Sequence, residues 1–277
     1  MALTDPASSW PDGRCGVVLL RSADGAEPAQ RFWGSLEISF PWASVTKVAV
    51  AMAVLVAVEE ETLGLDDQVG PRGASVRQLL SHAGGVAPSE HRSLAEPGTR
   101  RIYSNAGFEI LADALAQAAG LSFETYLHDA VLAPLSMSTT RLEGSAASGL
   151  VGTVAELGHL LGELLEPTLL APATMAEMQR VQGPDLAGVL PGFGRFSPCP
   201  WGLGVEVKGD KTPHWSGSSW GPNCVGHFGQ RGGFLLIDSA AKIGVGALAD
   251  LPFGRWAAES WPTMLDGLRA DAQGVDH

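Results

Sequence analysis

The sequence predicts an α+β fold: one antiparallel sheet assembled from both ends of the chain, with a helical block inserted between the two halves. Three observations predict it. An apolar, strand-like run, GVVLLRS at 16–22, precedes every helical signal. Between about 44 and 180, apolar residues recur at helical spacing, punctuated by caps and terminating glycines. From 201 onward the texture changes to short apolar runs parted by turn residues. Such segregation is unlike the alternation of a parallel βαβ fold. A chain of 277 residues, 45% hydrophobic, can bury a sizeable core. We expect a single domain, 1–277, with a sheet lobe at about 12–43 plus 200–277 and a helical lobe at about 44–199.

The elements follow in order. After the first strand, Asp24-Gly25 signals a turn, and QRFWG at 30–34 is the returning strand. FPWASVTKVAVAMAVLVAV at 40–58 opens a buried helix that should run to about Gly64. SVRQLLSHA at 75–83 reads as a short helix closed by Gly84-Gly85. Residues 105–119 put Phe108, Leu111 and Leu115 on one helical face, with Gly120 as the stop. Ser122 caps FETYLHDAVLAPL; Thr153 with Glu156 forms a capping-box pattern before LGHLLGELL; Pro172 opens ATMAEMQRV. Pro184 to Pro200, rich in Gly and Pro, reads as loop. WGLGVEVKG, CVGHFG, GGFLLID and KIGVGALAD are successive strands, and short connections between the last three favour an antiparallel meander. Residues 254–269 look helical, with Pro262 as a kink or restart.

Composition excludes several function classes. There are 18 Lys+Arg against 30 Asp+Glu, a net charge of −12, and no basic stripe, which argues against a nucleic-acid partner. Cys15, Cys199 and Cys224 lack metal-ligand spacing and read as free thiols, with at most one pair able to bridge. No metal and no cofactor is expected. The segment MALTDPASSWPDGRCG has neither the basic nor the apolar region of a secretory signal, so a cytoplasmic location is expected. The apolar run from Val48 to Val58 is shorter than the roughly 18 residues a bilayer span needs.

Three groups of residues carry chemistry. Lys47 is one of only four lysines, and it alone sits in an apolar helical run. An unpaired buried ammonium is costly, so Lys47 either loses its proton readily or has a partner. Ser44 lies one turn upstream on the same face, the arrangement that activates a hydroxyl nucleophile. The second group is Tyr103-Ser104-Asn105: a phenol can relay a proton, and an amide can hold a substrate carbonyl or fix the lysine. The third is His227-Phe228-Gly229, on a strand whose glycine permits close approach and an oxyanion-binding N–H beyond it. Each also has an ordinary structural reading. Lys47 can snorkel to solvent, Tyr103 can pack in the core, Asn105 can cap a helix, and His227 can be a plain strand histidine.

Taken in order, Ser-x-x-Lys, Tyr-x-Asn and His-x-Gly resemble the serine β-lactamase and penicillin-binding-protein superfamily. The resemblance is to its class C-like branch of β-lactamases, D-alanyl-D-alanine carboxypeptidases and esterases. SVTK, LLSHAGG, PGTRRIYSNAG, GLVGTVAEL, WGLGVE and GHFGQRGGFLLID carry it across roughly 36–250. It implies a β-lactamase/transpeptidase-like fold and a small-molecule ester, amide or lactam substrate. It also implies Ser44 as the acylated nucleophile, Lys47 as its base, Tyr103 as the proton shuttle and Asn105 as the orienting amide. His227 would stand where the family has a lysine, and the N–H groups of Ser44 and Gln230, after Gly229, would hold the oxyanion.

The chain departs from the pattern at Phe228, which replaces a hydroxyl residue that helps bind a substrate carboxylate in peptidase and lactamase members. This shifts the expectation to uncharged or hydrophobic acyl groups and carboxylesterase-type activity. β-Lactamase or D-Ala-D-Ala carboxypeptidase activity is the alternative, and Arg231 is a candidate to restore a carboxylate contact. A catalytically silent binding protein on the same scaffold is the alternative of another class. The chain is short for the family, so an open cleft is expected. Competing matches fail on context. Gly217-Ser-Ser-Trp-Gly221 lacks the strand and helix of a nucleophile elbow, Lys211-Thr212 is followed by proline, and Ser239-Ala-Ala-Lys242 falls in a turn. His82 is expected to make a structural hydrogen bond.

Overall fold

The structure is a computed structural model and describes residues 5–11, 14–23 and 26–273; the Asp24-Gly25 turn lies outside these. Strands β1 (Cys15–Ala23) and β2 (Ala26–Gly34) are followed by the short β3 (Phe40–Pro41). A 3₁₀ turn, Ala43–Val45, leads into helix α1 (Thr46–Glu59). Helices α2 (Val76–Leu80), α3 (Asn105–Ala119) and α4 (Phe123–Leu127) come next. Strands β4 (Arg141–Leu142) and β5 (Leu150–Gly152) then precede α5 (Val154–Leu165) and α6 (Pro172–Gln179). The chain closes with β6 (Gly188–Leu190), β7 (Gly194–Phe196), β8 (Glu206–Val207), β9 (Val225–Phe228), β10 (Phe234–Asp238), β11 (Ile243–Ala249) and α7 (Arg255–Gln273).

The main sheet has the order β2-β1-β11-β10-β9-β8, antiparallel throughout. The meander expected for the last strands is present, and β1 pairs with β11 from Cys15↔Ala249 to Arg21↔Ile243. Strand alternation divides the core into two layers. Val17, Leu19, Phe234, Leu236 and Val245 pack with Trp261, Leu265 and Leu268 of α7. Val18, Leu235, Ile237 and Leu248 face the other way, with Leu157 and Leu161 of α5. Gly244 and Gly246 explain how α5 lies so close: a Cβ on Gly246 would stand 2.7 Å from Leu157 Cδ2. Helix α1 is apolar all round and lies inside the helical layer, buried from Thr46 through Leu55.

Most caps form as the sequence predicts. Gly120 ends α3 at φ +67°, and Ser122 and Thr153 cap α4 and α5; the structure adds a reciprocal capping box between the Ser75 and Gln78 side chains at the start of α2. The differences have local causes. Helix α1 stops at Glu59, with Glu61 rather than Gly64 in the left-handed conformation. The Glu156 carboxylate does not close a box with Thr153. It accepts instead from Thr139 N at 2.7 Å and from the Thr139 and Thr140 hydroxyls, tying α5 to the loop before β4. The α4 run loosens into a π turn at His128–Leu132. The expected loop at 184–200 holds the β6–β7 hairpin, whose three-residue strands are too short to show a period. WGLGVEVKG yields only the two-residue β8. Helix α7 continues through Pro262, because Trp261 and Leu265, buried on either side, hold both halves to the sheet. All three cysteines are buried and unbridged. Among the described residues no helix is long and apolar enough to cross a membrane.

Candidate active site

The turn before α1 sets the geometry. Ala43 has φ +47°, a conformation that costs a residue with a Cβ about 1–2 kcal/mol, and Ser44 follows it, partly exposed. One helical turn on, the buried Lys47 places Nζ 3.4 Å from Ser44 Oγ. The same nitrogen donates to Asn105 Oδ1 at 2.7 Å and to the Ala147 carbonyl at 2.8 Å. A neutral amine has two hydrogens and one lone pair. The two carbonyl-type acceptors take the hydrogens, which leaves the lone pair for the serine hydroxyl. Burial pushes the Lys47 pKa down to about 7, against the pull of the Glu109 carboxylate, which raises it.

Asn105 is free for this because the residue before it does the capping. The Ser104 Oγ accepts from Gly107 N at 2.9 Å and donates to Ala87 O at 2.7 Å. Ser104 N in turn donates to His82 Nδ1 at 3.2 Å, the structural hydrogen bond expected of His82. The His82 ring lies 4.4 Å from the Tyr103 ring, so one histidine holds the backbone and the aromatic face of the 103–105 segment together. Burial, with the Lys47 charge nearby, keeps His82 well below the usual histidine range. Burial raises the Tyr103 pKa, against the nearby Ser44 hydroxyl, which lowers it, so the phenol keeps its proton. Its ring centroid is 4.9 Å from Lys47 Nζ.

Strand β9 closes the site from the other side. A Cβ on Gly229 would stand 2.7 Å from Trp42 O and 3.2 Å from Ser44 N, so only glycine lets this strand end lie against the Ser44 turn. His227 Nδ1 is 2.9 Å from the Phe228 carbonyl. A carbonyl only accepts, so Nδ1 carries the hydrogen and Nε2 is a bare acceptor; it has no partner among the described residues. Burial, with Lys47 nearby, pushes the His227 pKa down to about 3, so the ring is neutral. The Phe228 ring packs on Phe253, centroids 4.9 Å apart, and also on Phe193 and Trp215.

Ser44, Tyr103, Asn105, His227, Phe228 and Gln230 line one cavity of about 250 Å³. Lys47 and Gly229 stand just behind this lining, Lys47 Nζ 3.4 Å from Ser44 Oγ and Gly229 against the Ser44 backbone. Arg231 is exposed and is not among the lining residues. Sequence reasoning missed the other walls, Leu190, Pro191, Trp201 and Glu206. It also missed the Ala147 carbonyl and Glu109. Burial works to raise the Glu206 carboxyl, but His214, Lys211 and the Trp215 N–H outweigh it and hold it at about 2. Lys211 Nζ is 3.1 Å and His214 Nε2 2.9 Å from Glu206 Oε1, so the lysine of the rejected Lys-Thr pair has a structural partner. The serines of the rejected nucleophile elbow, Ser218 and Ser219, bond Asp266 of α7. Lys242 of the second Ser-x-x-Lys match lies at a turn, 3.0 Å from Glu166.

The comparisons with known proteins agree with this geometry. The family model described as Beta-lactamase matches residues 37–266. A beta-lactamase from Mycobacterium bovis of solved structure is 41% identical; the superposition covers 96% of this chain and 97% of that one, with a TM-score of 0.92. A hydrolase with promiscuous acyltransferase activity shares the fold at 19% identity, covering 91% and 93% of the two chains with a TM-score of 0.75. Penicillin-binding protein 4* of Bacillus subtilis (strain 168) is 24% identical over 136 residues, 37% of this chain and 30% of that protein. That match therefore spans less than a third of the relative's length. On the family match across 37–266, and on a site whose Ser-x-x-Lys, Tyr-x-Asn and His-x-Gly meet around one cavity, the chain belongs to the beta-lactamase family.

Proposed function

We propose that the protein is a serine hydrolase of carboxylesterase type, acylated on Ser44 by esters whose acyl group is apolar next to the carbonyl. The observation that carries the acylation chemistry is the environment of Lys47. Its two hydrogens are held by Asn105 Oδ1 and Ala147 O, and its lone pair faces Ser44 Oγ. Ser44 Oγ bonds to the carbonyl carbon while Lys47 takes its proton. The Ser44 and Gln230 N–H groups hold the oxyanion, and Tyr103, protonated and lining the same cavity as Ser44, relays a proton to the departing alkoxide. Water then cleaves the acyl-enzyme by the reverse proton route.

The ester preference is supported by the walls Leu190, Pro191, Trp201 and Phe228 and by the Glu206 carboxylate among them, which disfavour a carboxylate beside the scissile bond. His227 supports it too. A neutral acceptor stands where a family lysine would donate, so the site favours a substrate N–H or O–H over an anion there.

Covalent labelling tests this. A fluorophosphonate should modify Ser44, located by mass spectrometry, and a penicillin should not. Folded protein that takes no adduct from either reagent would overturn the enzyme reading, and a Lys47→Ala variant of undiminished rate would overturn the role of Lys47. The 41% identity to the Mycobacterium bovis beta-lactamase favours lactam opening as a second reading. Labelling by both reagents, with turnover of a chromogenic cephalosporin, would establish it.

A further inference from the structure

A second cavity, about 460 Å³, lies beside the first and shares Tyr103 and Pro191 with it. Strand β6 is the partition. Leu190 is buried and lines the Ser44 cavity, while its neighbour Val189 points the opposite way into the second one, as alternation along a strand requires. The wall of this groove is unusual for the molecule. Among the described residues only Leu94, Leu121 and Val189 are large, hydrophobic and exposed, and Leu94 and Val189, at 42% and 57%, both lie here. Burying such side chains against an apolar ligand is favourable, because it removes apolar surface from water.

The groove also carries charge. Arg100 and Arg195 line it. Most arginines of this acidic chain are paired with a carboxylate, such as Arg14 with Asp250 and Arg269 with Asp238. Arg100 and Arg195 have no carboxylate partner among the described residues. Arg100 is steadied by the Leu94 carbonyl, 3.3 Å from Nη2. Arg101, which also lines the groove, is different in kind. Its guanidinium is buried and donates to Ser81 O at 2.6 Å and Gly183 O at 2.9 Å, so it forms the floor and is not available to a ligand.

We infer that this groove is an extension of the substrate site, and that it takes an apolar arm ending in a carboxylate, held by Arg100 and Arg195. The scissile end would sit in the Ser44 cavity, pass Tyr103 and Pro191, lay its methylenes on Leu94 and Val189, and place its far end on the two guanidiniums. Arginine suits this because its fork matches a carboxylate. The inference rests on the hydrolase reading for the identity of the reacting end, but not for the binding itself.

The test therefore uses a Ser44→Ala protein, which binds without turnover. Calorimetry compares monomethyl octanedioate, one end charged, with dimethyl octanedioate, uncharged and of similar shape. The expected result is that the monoanion binds at least tenfold more tightly, and that high salt reduces the difference. An Arg100→Gln/Arg195→Gln double variant should bring the two ligands within about twofold, and Val189→Asp, at an exposed position, should weaken the monoanion about tenfold. Equal affinities for the two ligands, or a preference that survives the double substitution, would overturn the inference. Neither result bears on whether Ser44 is acylated, which the fluorophosphonate decides separately.

Discussion

Lys47 Nζ lies 2.7 Å from Asn105 Oδ1 across the mouth of the site, an amine on one buried helix bound to an amide at the start of another. The Asn105 carbonyl takes one amine hydrogen without adding charge, and this neutrality leaves burial free to lower the lysine. An Asn105→Asp substitution places an anion there and should raise the Lys47 pKa. The rising limb of kcat/KM against pH should then move to higher pH by about a unit or more, with the rate at pH 7 falling at least about fivefold. A pH–rate profile of the variant checks this.

The unsubstituted protein should itself show that limb. Activity requires the neutral amine, and the Lys47 pKa is about 7, so kcat/KM should rise with pH and reach half its plateau near 7. The Glu109 carboxylate raises the Lys47 pKa, so Glu109→Gln should shift the limb to lower pH.

Stability should move with pH in the same sense as activity. Lys47 is lowered from 10.5 to about 7 on folding, so between these values the unfolded chain binds a proton that the folded one does not. Its contribution to stability therefore rises with pH across this window, by roughly 2 kcal/mol between pH 7 and pH 9. A Lys47→Met variant lacks that dependence. Relative to the unsubstituted protein it should be most stable at pH 7, and the gap should close by about that amount at pH 9 in urea melts. A constant gap would contradict the burial assigned to Lys47.

Gly229→Ala inserts a methyl group between the end of β9 and the Ser44 turn, 2.7 Å from Trp42 O and 3.2 Å from Ser44 N. The strand must retreat from the amide that faces the oxyanion. A fall in kcat of about 10²–10³ is expected, since misplacing one such donor costs that much. Thermal melts, which read fold rather than alignment, should change far less than the rate.

What the sequence disclosed follows from what can be read locally. A lone lysine in FPWASVTKVAVAMAVLVAV is visible because its cost is set by its own neighbours, and Ser44 because it lies one turn away. The sheet was legible for the same reason: GGFLLID and KIGVGALAD each bury both faces. The walls contributed by Leu190, Pro191 and Glu206 were not legible. The β6–β7 hairpin has no alternating stretch long enough to stand out among its glycines and prolines, and Glu206 is stable only through Lys211, His214 and Trp215, a network that exists after folding. The Ala147 carbonyl has no side-chain signature at all. Even Asn105 read equally well as a cap, until Ser104 was found in that position.

The pairing of β1 with β11 has a consequence in time. Cys15 meets Ala249, and Gly229 must reach Ser44, so a growing chain that stops short of these strands cannot set Ser44 and Lys47 against them. While the ribosome is still adding residues before 230, Ser44 and Lys47 are present but lack the strand end proposed to seat an oxyanion beside them. Whatever acyl chemistry the finished molecule performs is withheld from the growing chain, because the last strands to be made complete the site that the first helix begins.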